Sequence, residues 1–373
     1  MRIAQIAPLY ESCPPQLYGG TERVVSFLTE ELVKLGHDVT LFASGDSKTA
    51  ARLVPGSKRA LRLDTSVLDP LAHHMVLMNR VIQEADNFEI LHFHTDYLHY
   101  PFFANSGHPI VTTLHGRQDL LDLVPIYREF PDMPLVSISD AQRRPISHAH
   151  WVKTVHHGLP LDLLPEGPGD GRYLAFVGRI SPEKRLDRAI MIARQAGIPL
   201  KVAAKIDRTD TVYYEDVIKP LLGEGVEFVG EINDQQKKDF LGRAGALLFP
   251  VDWPEPFGLV MIEAMACGTP VLAFRCGSVP EVIDEGITGL VVDCMEAAHA
   301  ALPQVLALDR HNVRLQFEKR FSAERMARDY LALYETMTRP VITMPAAVAV
   351  AKRAGERLSS LELPAAVHAV AKA

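Results

Sequence analysis

One segment limits what this chain can fold into more than any other: Trp253-Pro254-Glu255-Pro256-Phe257-Gly258-Leu259-Val260-Met261-Ile262-Glu263-Ala264-Met265-Ala266-Cys267-Gly268-Thr269-Pro270-Val271. Proline fixes φ and keeps the residue before it extended, so no helix begins before about Phe257. From Gly258 to Cys267 the residues favour helix, and Gly268 followed by Pro270 ends it. That helix is apolar on nearly every side, which buries it. Glu263 falls in its middle. A buried carboxylate without a partner is costly, so Glu263 requires a hydrogen-bonding group. Glu255 precedes the helix on a rigid turn. Two carboxylates thus flank a helix N-terminus, where free N–H groups and the dipole favour an anion. Amides for an anion beside carboxylates for hydroxyls suit a sugar joined to a phosphate. The plain alternative is a buried α/β helix with one structural glutamate.

Strand and helix patterns alternate along the rest of the chain. Residues 2–8 read as a buried strand and 10–20 as a loop carrying Pro14-Pro15 and Gly19-Gly20. Thr21 is placed to cap a helix that runs to about residue 35 and stops at Gly36. Val24, Val25, Leu28, Leu32 and Leu35 form its apolar stripe. Residues 38–43 give the next strand, a βαβ opening that favours a parallel sheet. Gly19-Gly20 stands where a Rossmann fold places its phosphate loop, but G-x-G-x-x-G is absent, which weakens a dinucleotide reading. The two glycines still let backbone amides approach a phosphate or sugar; a flexible turn is the alternative. Further strands are expected at 89–93, 109–114, 135–138 and 152–155, with helices at 69–86, within 119–130, and from 140 onward.

Histidines gather in this half. His92 and His94 share one face of a strand end, His115 precedes Gly116, and His156-His157 precede Gly158. Among 15 histidines pairs arise by chance, and no cysteine or carboxylate cluster has ligand spacing, so no metal is assigned. His115 ends a strand, where open α/β sheets bind ligands. His92 and His94 stay open between satisfied structural histidines and a substrate role. Asp96 and Tyr97, on the following loop, are candidates to face an acceptor.

Residues 161–172 hold Pro165, Gly167, Pro168, Gly169 and Gly171, the best domain boundary in the chain. A second Rossmann-like unit follows. Residues 174–177 form a strand, Gly178 to Lys184 a loop, and 185–196 a helix. Arg179 and Lys184 at this junction suit a phosphate: arginine grips it with parallel donors, lysine acts as a point charge. Strands are expected at 200–204, 226–229, 246–250, 271–274 and 290–292, with helices at 295–308, 310–320 and 322–338. The strand 246–250 delivers the Glu255 loop. Residues 341–373, rich in alanine and valine with Pro345 and Pro364, read as a short amphipathic helix or a loosely held tail.

The pattern Glu-Pro-Phe-Gly…Glu-Ala-Met-Ala-x-Gly-x-Pro-Val, from Glu255 to Val271, resembles the nucleotide-sugar-dependent retaining glycosyltransferases of the GT4 type, glycosyl transferases group 1. The resemblance implies an α/β GT-B fold, two Rossmann-like doubly wound domains facing across a cleft. Residues 1–162 would be the acceptor domain, rejoined by a crossover helix at about 325–340, and 171–322 the donor domain. It implies transfer of a hexose from a nucleoside diphosphate sugar, such as UDP-glucose or GDP-mannose, to a glycan, lipid-linked or small-molecule acceptor, with retention and without a metal or other cofactor. Arg179 and Lys184 would clasp the diphosphate, helped by Gly19, Gly20 and the helix start at Phe257, Gly258 and Leu259. Glu263 would accept from the ribose, Glu255 and His115 would hold the donor sugar, and the loop at Glu231 and Ile232 would line the base. Two departures stand out. His156-His157 replace the Pro-Asn that usually enters the second domain, and Arg185 stands where the family often has glycine. Gly277-Ser278-Val279-Pro280-Glu281 resembles the family's Gly-Gly-x-Pro-Glu turn and reads as structural.

At 373 residues the chain has room for two domains. A net charge of −7 argues against nucleic acid as a main partner. Cys13, Cys267, Cys276 and Cys294 form no C-x-x-C pair and read as reduced thiols. With no signal peptide and no apolar run able to span a bilayer, the expected location is cytoplasmic, with at most peripheral contact at the inner membrane face. Three rivals remain at this point: a nucleotide-sugar epimerase of the same fold, a non-catalytic sugar-nucleotide-binding protein, and an NAD-dependent oxidoreductase. The intact Arg, Lys and two Glu positions count against the second, the missing glycine fingerprint against the third.

Overall fold

The computed structural model describes residues 1–16 and 19–338. The expected tail at 341–373, and the last two residues of the expected crossover helix, lie outside the described residues. In chain order the first half contains β1 (Arg2–Ile6), α1 (Gly20–Lys34), β2 (Asp38–Ser44), β3 (Arg52–Ser57), α2 (Pro70–Glu84), β4 (Ile90–Phe93), α3 (Tyr100–Phe103), β5 (Ile110–Thr113), α4 (Leu123–Glu129), β6 (Leu135–Ser137), α5 (Asp140–Arg143) and β7 (Trp151–Thr154). The second contains β8 (Leu174–Arg179), α6 (Leu186–Ala196), β9 (Leu200–Lys205), α7 (Thr211–Tyr213), β10 (Val226–Gly230), α8 (Asp234–Gly242), β11 (Ala246–Phe249), α9 (Leu259–Ala266), β12 (Val271–Phe274), α10 (Val279–Val282), β13 (Gly289–Val292), α11 (Met295–Leu306), α12 (Arg310–Phe321) and α13 (Ala323–Thr338).

The first sheet has the order β3-β2-β1-β4-β5-β6-β7 and the second β10-β9-β8-β11-β12-β13. The strand pairs in both are parallel. Strands β4, β5, β11 and β12 are buried along their whole length, the mark of a parallel sheet covered by helices on both faces. Each sheet reverses its winding once, between β1 and β4 and between β8 and β11. Crevices beyond the carboxyl ends of strands at such points are where doubly wound sheets bind ligands.

Helix α9 is wedged into the second core. Met261, Ile262 and Met265 are fully buried, each stabilising by roughly 1.5–3 kcal/mol. Helix α13 turns back to the first sheet. The Tyr330 and Tyr334 hydroxyls lie 2.8 Å from Thr113 Oγ1 and 2.6 Å from His92 Nδ1.

Several elements differ from expectation, among them the short helices α3, α7 and α10, which were not expected. Helix α1 begins at Gly20 with Gly19 as its cap, so Thr21 is helical rather than capping. Strand β3 was hidden by Pro55-Gly56; it lies at the sheet edge, where a proline leaves no ladder bond unmade. Helix α8 was hidden by a charged sequence with little apolar stripe, but a reciprocal cap starts it. Asn233 Oδ1 accepts from Gln236 N, and Gln236 Oε1 accepts from Asn233 N, both at 3.0 Å. Helix α5 is a single turn, so the helix expected from 140 onward stops early.

Candidate functional site

A cleft of about 720 Å³ opens where the two switch points meet. Pro8 and Tyr10 reach it from the end of β1, His94 to Leu98 from the end of β4, Arg179 from β8 and Phe249 from β11. Of the residues expected to bind a ligand, Gly19, Gly20, His115, Arg179, Lys184, Glu231, Ile232, Glu255, Phe257, Gly258, Leu259 and Glu263 all line it.

The second-sheet wall is built around the start of α9. Gly258 caps the helix at φ 75°, a left-handed conformation that glycine adopts without strain. A Cβ there would also sit 2.8 Å from Met261 Cε. The Leu259 and Val260 amides that open α9 have no partner among the described residues and stand at its cleft end, while the Met261 amide donates to Gly258 O at 2.9 Å. Just before them, Glu255 is 7% exposed and forms an ion pair with Lys184. Trp253 Nε1 donates to the same Glu255 oxygen at 2.9 Å, and Lys184 Nζ lies 5.1 Å from the Trp253 ring centre. The Gly277-Ser278 turn supports this loop from below. Ser278 N donates to Glu255 O at 2.9 Å, and Ser278 Oγ donates to Phe257 O at 2.9 Å. Gly277, at φ 55°, lies so close that a Cβ would stand 2.3 Å from Glu255 O. This turn is structural, and what it positions is Glu255.

The partner that Glu263 requires is Lys237 of α8, whose Nζ donates to Glu263 Oε1 at 2.7 Å. Both side chains are buried, at 10% and 5% exposure. Asp234, one turn earlier, lies 3.6 Å from Lys237 Nζ and is ion-paired with Arg23 of α1. A charged ladder therefore crosses the cleft from one sheet's helix to the other's. Sequence reasoning missed Lys237, Asp234 and Arg23 together because it missed α8. The signal was present: Asn-x-x-Gln at 233–236 is a capping box.

Arg179 is less free than the sequence suggested. Its guanidinium has Glu183 at 3.4 Å, Asp210 at 3.5 Å and Asp207 at 3.7 Å. Arg185, the departure from the family's usual glycine, is ion-paired to Asp187 and Asp252, each at 2.8 Å. Arg185 also has φ 53°, which explains why glycine suits this position elsewhere.

The histidines form a hydrogen-bonded chain from the cleft into the first core. Gln5 Nε2 donates to the Tyr334 hydroxyl at 3.1 Å, leaving Gln5 Oε1 to accept from His94 Nε2 at 2.8 Å. His94 Nδ1 then accepts from His115 Nε2 at 2.8 Å. His115 Nδ1 is buried without a partner among the described residues, and its ring stacks on His157 at 5.3 Å. Burial drives the His115 pKa down to about 3 and those of His92, His94 and His157 well below the ordinary histidine value. These rings are neutral polar links. The ring nitrogens of His92 and His94 all have protein partners, and both polar atoms of His115 point into protein. His156 faces Glu281 at 3.5 Å. The described residues hold no group of three or more His, Cys, Asp or Glu arranged to bind a metal.

Two all-parallel Rossmann-like sheets whose switch points share one cleft define the GT-B class. Sucrose-phosphate synthase from Thermosynechococcus elongatus superposes with a TM-score of 0.75 at 18% identity, covering 90% of this chain and 98% of that one. Anabaena HepE, solved in complex with UDP-glucose, superposes with a TM-score of 0.68 at 17% identity over 90% of this chain and 100% of that one. Residues 165–321 match the family model for glycosyl transferases group 1, and residues 18–159 match the model for Glycosyltransferase Family 4. The chain belongs to this GT4-type family of GT-B glycosyltransferases. It is 29% identical over 224 residues to the D-inositol 3-phosphate glycosyltransferase of Mycolicibacterium smegmatis, a match covering 56% of this chain and 50% of that relative. The chain spans about half or less of the length of the curated relatives it matches.

Proposed function

We propose that the protein transfers a hexose from a nucleoside diphosphate sugar to an acceptor, with retention at the anomeric carbon. The observation that carries this reading is the Lys184–Glu255 ion pair set against the open amides of α9 in one cleft with the Lys237–Glu263 pair. The diphosphate settles on Lys184, the α9 amides and the backbone at Gly19-Gly20, and Arg179 exchanges its carboxylate neighbours for phosphate oxygens. Glu255, released from Lys184, accepts from a hydroxyl of the donor sugar. Glu263 accepts from the ribose. Backbone at Glu231 and Ile232 lines the base. His115 meets the sugar by giving up its bond to His94.

In the reaction the bond from the anomeric carbon to the diphosphate oxygen breaks, and the electron pair leaves with the diphosphate. The acceptor oxygen forms the new bond, and its proton passes to the departing phosphate. Fixed cations and amides supply charge stabilisation, so the reading needs no divalent ion or other cofactor. A UDP-hexose is the favoured donor, in keeping with HepE and its UDP-glucose. A sugar, an inositol phosphate or a lipid-linked glycan is the acceptor. The protein works in the cytoplasm in this reading, in keeping with four unpaired thiols. No helix of the described residues is long and apolar enough to cross a membrane.

A thermal-shift series with UDP-glucose, GDP-mannose and ADP-glucose tests the reading. Ligand at about a hundred times its Kd stabilises the native state by about 2.7 kcal/mol, a rise of several degrees. The Lys184→Ala variant should stay folded and lose about 100-fold or more in turnover. No shift with any sugar nucleotide, or full turnover in the variant, refutes the assignment.

A further inference from the structure

The loop after β4 carries Asp96 at φ 49°, a left-handed conformation that residues other than glycine rarely adopt. Aspartate and asparagine tolerate it best, because their short polar side chains bond locally. Such conformations gather where placing a group matters more than local stability. Asp96 lies on the cleft wall with its side chain exposed. Among the described residues nothing bonds to its carboxylate, whereas Glu255 is held by Lys184, Glu263 by Lys237, and Glu22 by the Glu11 amide at 3.2 Å. Protein nonetheless crowds around Asp96, and that loss of bulk water pushes its carboxyl up to about 6. Tyr97 follows on the same wall, with Tyr10 nearby in the lining; they are 38% and 44% exposed.

The position sorts the roles. Asp96 and Tyr97 extend from the switch-point end of the first sheet, whereas Arg179, Lys184 and Glu255 come from the second. An acceptor-only carboxylate with no protein partner, beside exposed aromatic faces, matches a ring that has hydroxyls at its edge and C–H groups on its face.

We propose that Asp96 and Tyr97 form the acceptor subsite, with Asp96 accepting a hydrogen bond from a ring hydroxyl beside the one that receives the hexose and Tyr97 covering one face of a polyhydroxylated ring, a sugar or cyclitol. The inference rests on the transferase reading above. Asp96 orients the acceptor ring and has no part in holding the nucleotide.

The test is saturation-transfer NMR on the full chain with UDP present, using myo-inositol, methyl α-D-glucoside and D-glucose 6-phosphate as probes. Wild type should bind at least one of them. Asp96→Asn keeps the shape and the left-handed backbone but removes the charge, and should weaken that probe about tenfold. Tyr97→Ala should weaken it too. Calorimetric UDP affinity should stay within about twofold in both variants, which also shows that they fold. Absence of any probe signal in wild type, or equal binding by wild type and Asp96→Asn, overturns the proposal. Failure of UDP to bind wild type sinks the transferase reading instead, while a polyol signal that depends on Asp96 still supports a polyol site.

Discussion

Replacing Lys237 with methionine keeps the length and apolar stem of the side chain and removes only its charge. Glu263, at 5% side-chain exposure, then loses the ammonium 2.7 Å away. Removing one member of a buried ion pair costs roughly 3–5 kcal/mol, most of it the penalty of a charge left without a partner. The lower end applies here, because Glu263 lines the cleft and water can reach toward it. At about 2 °C per kcal/mol for a chain of this size, about 3 kcal/mol lowers Tm by about 6 °C. The double variant Lys237→Met with Glu263→Gln removes the stranded charge and should recover most of that loss. Differential scanning calorimetry at pH 7.5 on wild type, both single variants and the double supplies the cycle. UDP titration of the same proteins reports on the ribose contact, which the double variant should not regain. A drop below about 2 °C for Lys237→Met, or a double variant no more stable than the single, refutes the claim that this pair holds α8 against α9.

Two further outcomes follow from the geometry. Gly277→Ala places a methyl group 2.3 Å from Glu255 O on a left-handed backbone, so the Glu255 loop must shift. Displacement by about an ångström costs up to about 100-fold in turnover, and wild-type kinetics would show that Glu255 needs no such support. The second outcome concerns pH. His92, His94, His99 and His157 have pKa values far below their unfolded value near 6.5, so below that pH the unfolded chain takes up protons that the native fold refuses. Stability is therefore greatest above about pH 7 and falls as pH drops through 6.5, by up to about 1.4 kcal/mol per pH unit for each buried ring. Glu22 and Asp96, both raised by burial, act in the opposite sense nearer pH 5. Urea unfolding at pH 7.5, 6.5 and 5.5 measures the trend, and equal stability at all three refutes it.

Legibility in the sequence followed the strength of local signals. Buried parallel strands such as β11 and β12 read clearly because their apolar runs end at Pro250 and at Gly277, and α9 read clearly because Pro254, Pro256 and Gly268 bracket it. Strand β3 and helix α8 did not, since one carries Pro55 and the other mostly charged residues. The placement of Glu255 and Glu263 at one cleft was legible because both lie on a single short segment. Their cations were legible only in part. Lys184 was singled out for phosphate, not for Glu255, and Lys237 went unnoticed. Arg179 was visible as a cation, but Asp207 and Asp210 beside it follow the next strand, and nothing in the local pattern announces that approach.

What the amino-acid order determined by itself was the alternation of strand and helix, the rigid turn before α9, and the presence of amides and carboxylates suited to a sugar phosphate. Those features depend on φ restrictions, caps and apolar periodicity, which act over a few residues. Only the tertiary structure decided which charges meet: Lys184 with Glu255, Lys237 with Glu263, and Arg23 with Asp234. It likewise decided that His115 donates a hydrogen bond to His94, and that Asp96 stands in the cleft with no group among the described residues bonded to its carboxylate. Such pairings cross between elements far apart in the chain. Coulombic attraction and hydrogen bonding depend on distance in space, and a one-dimensional pattern carries no record of it.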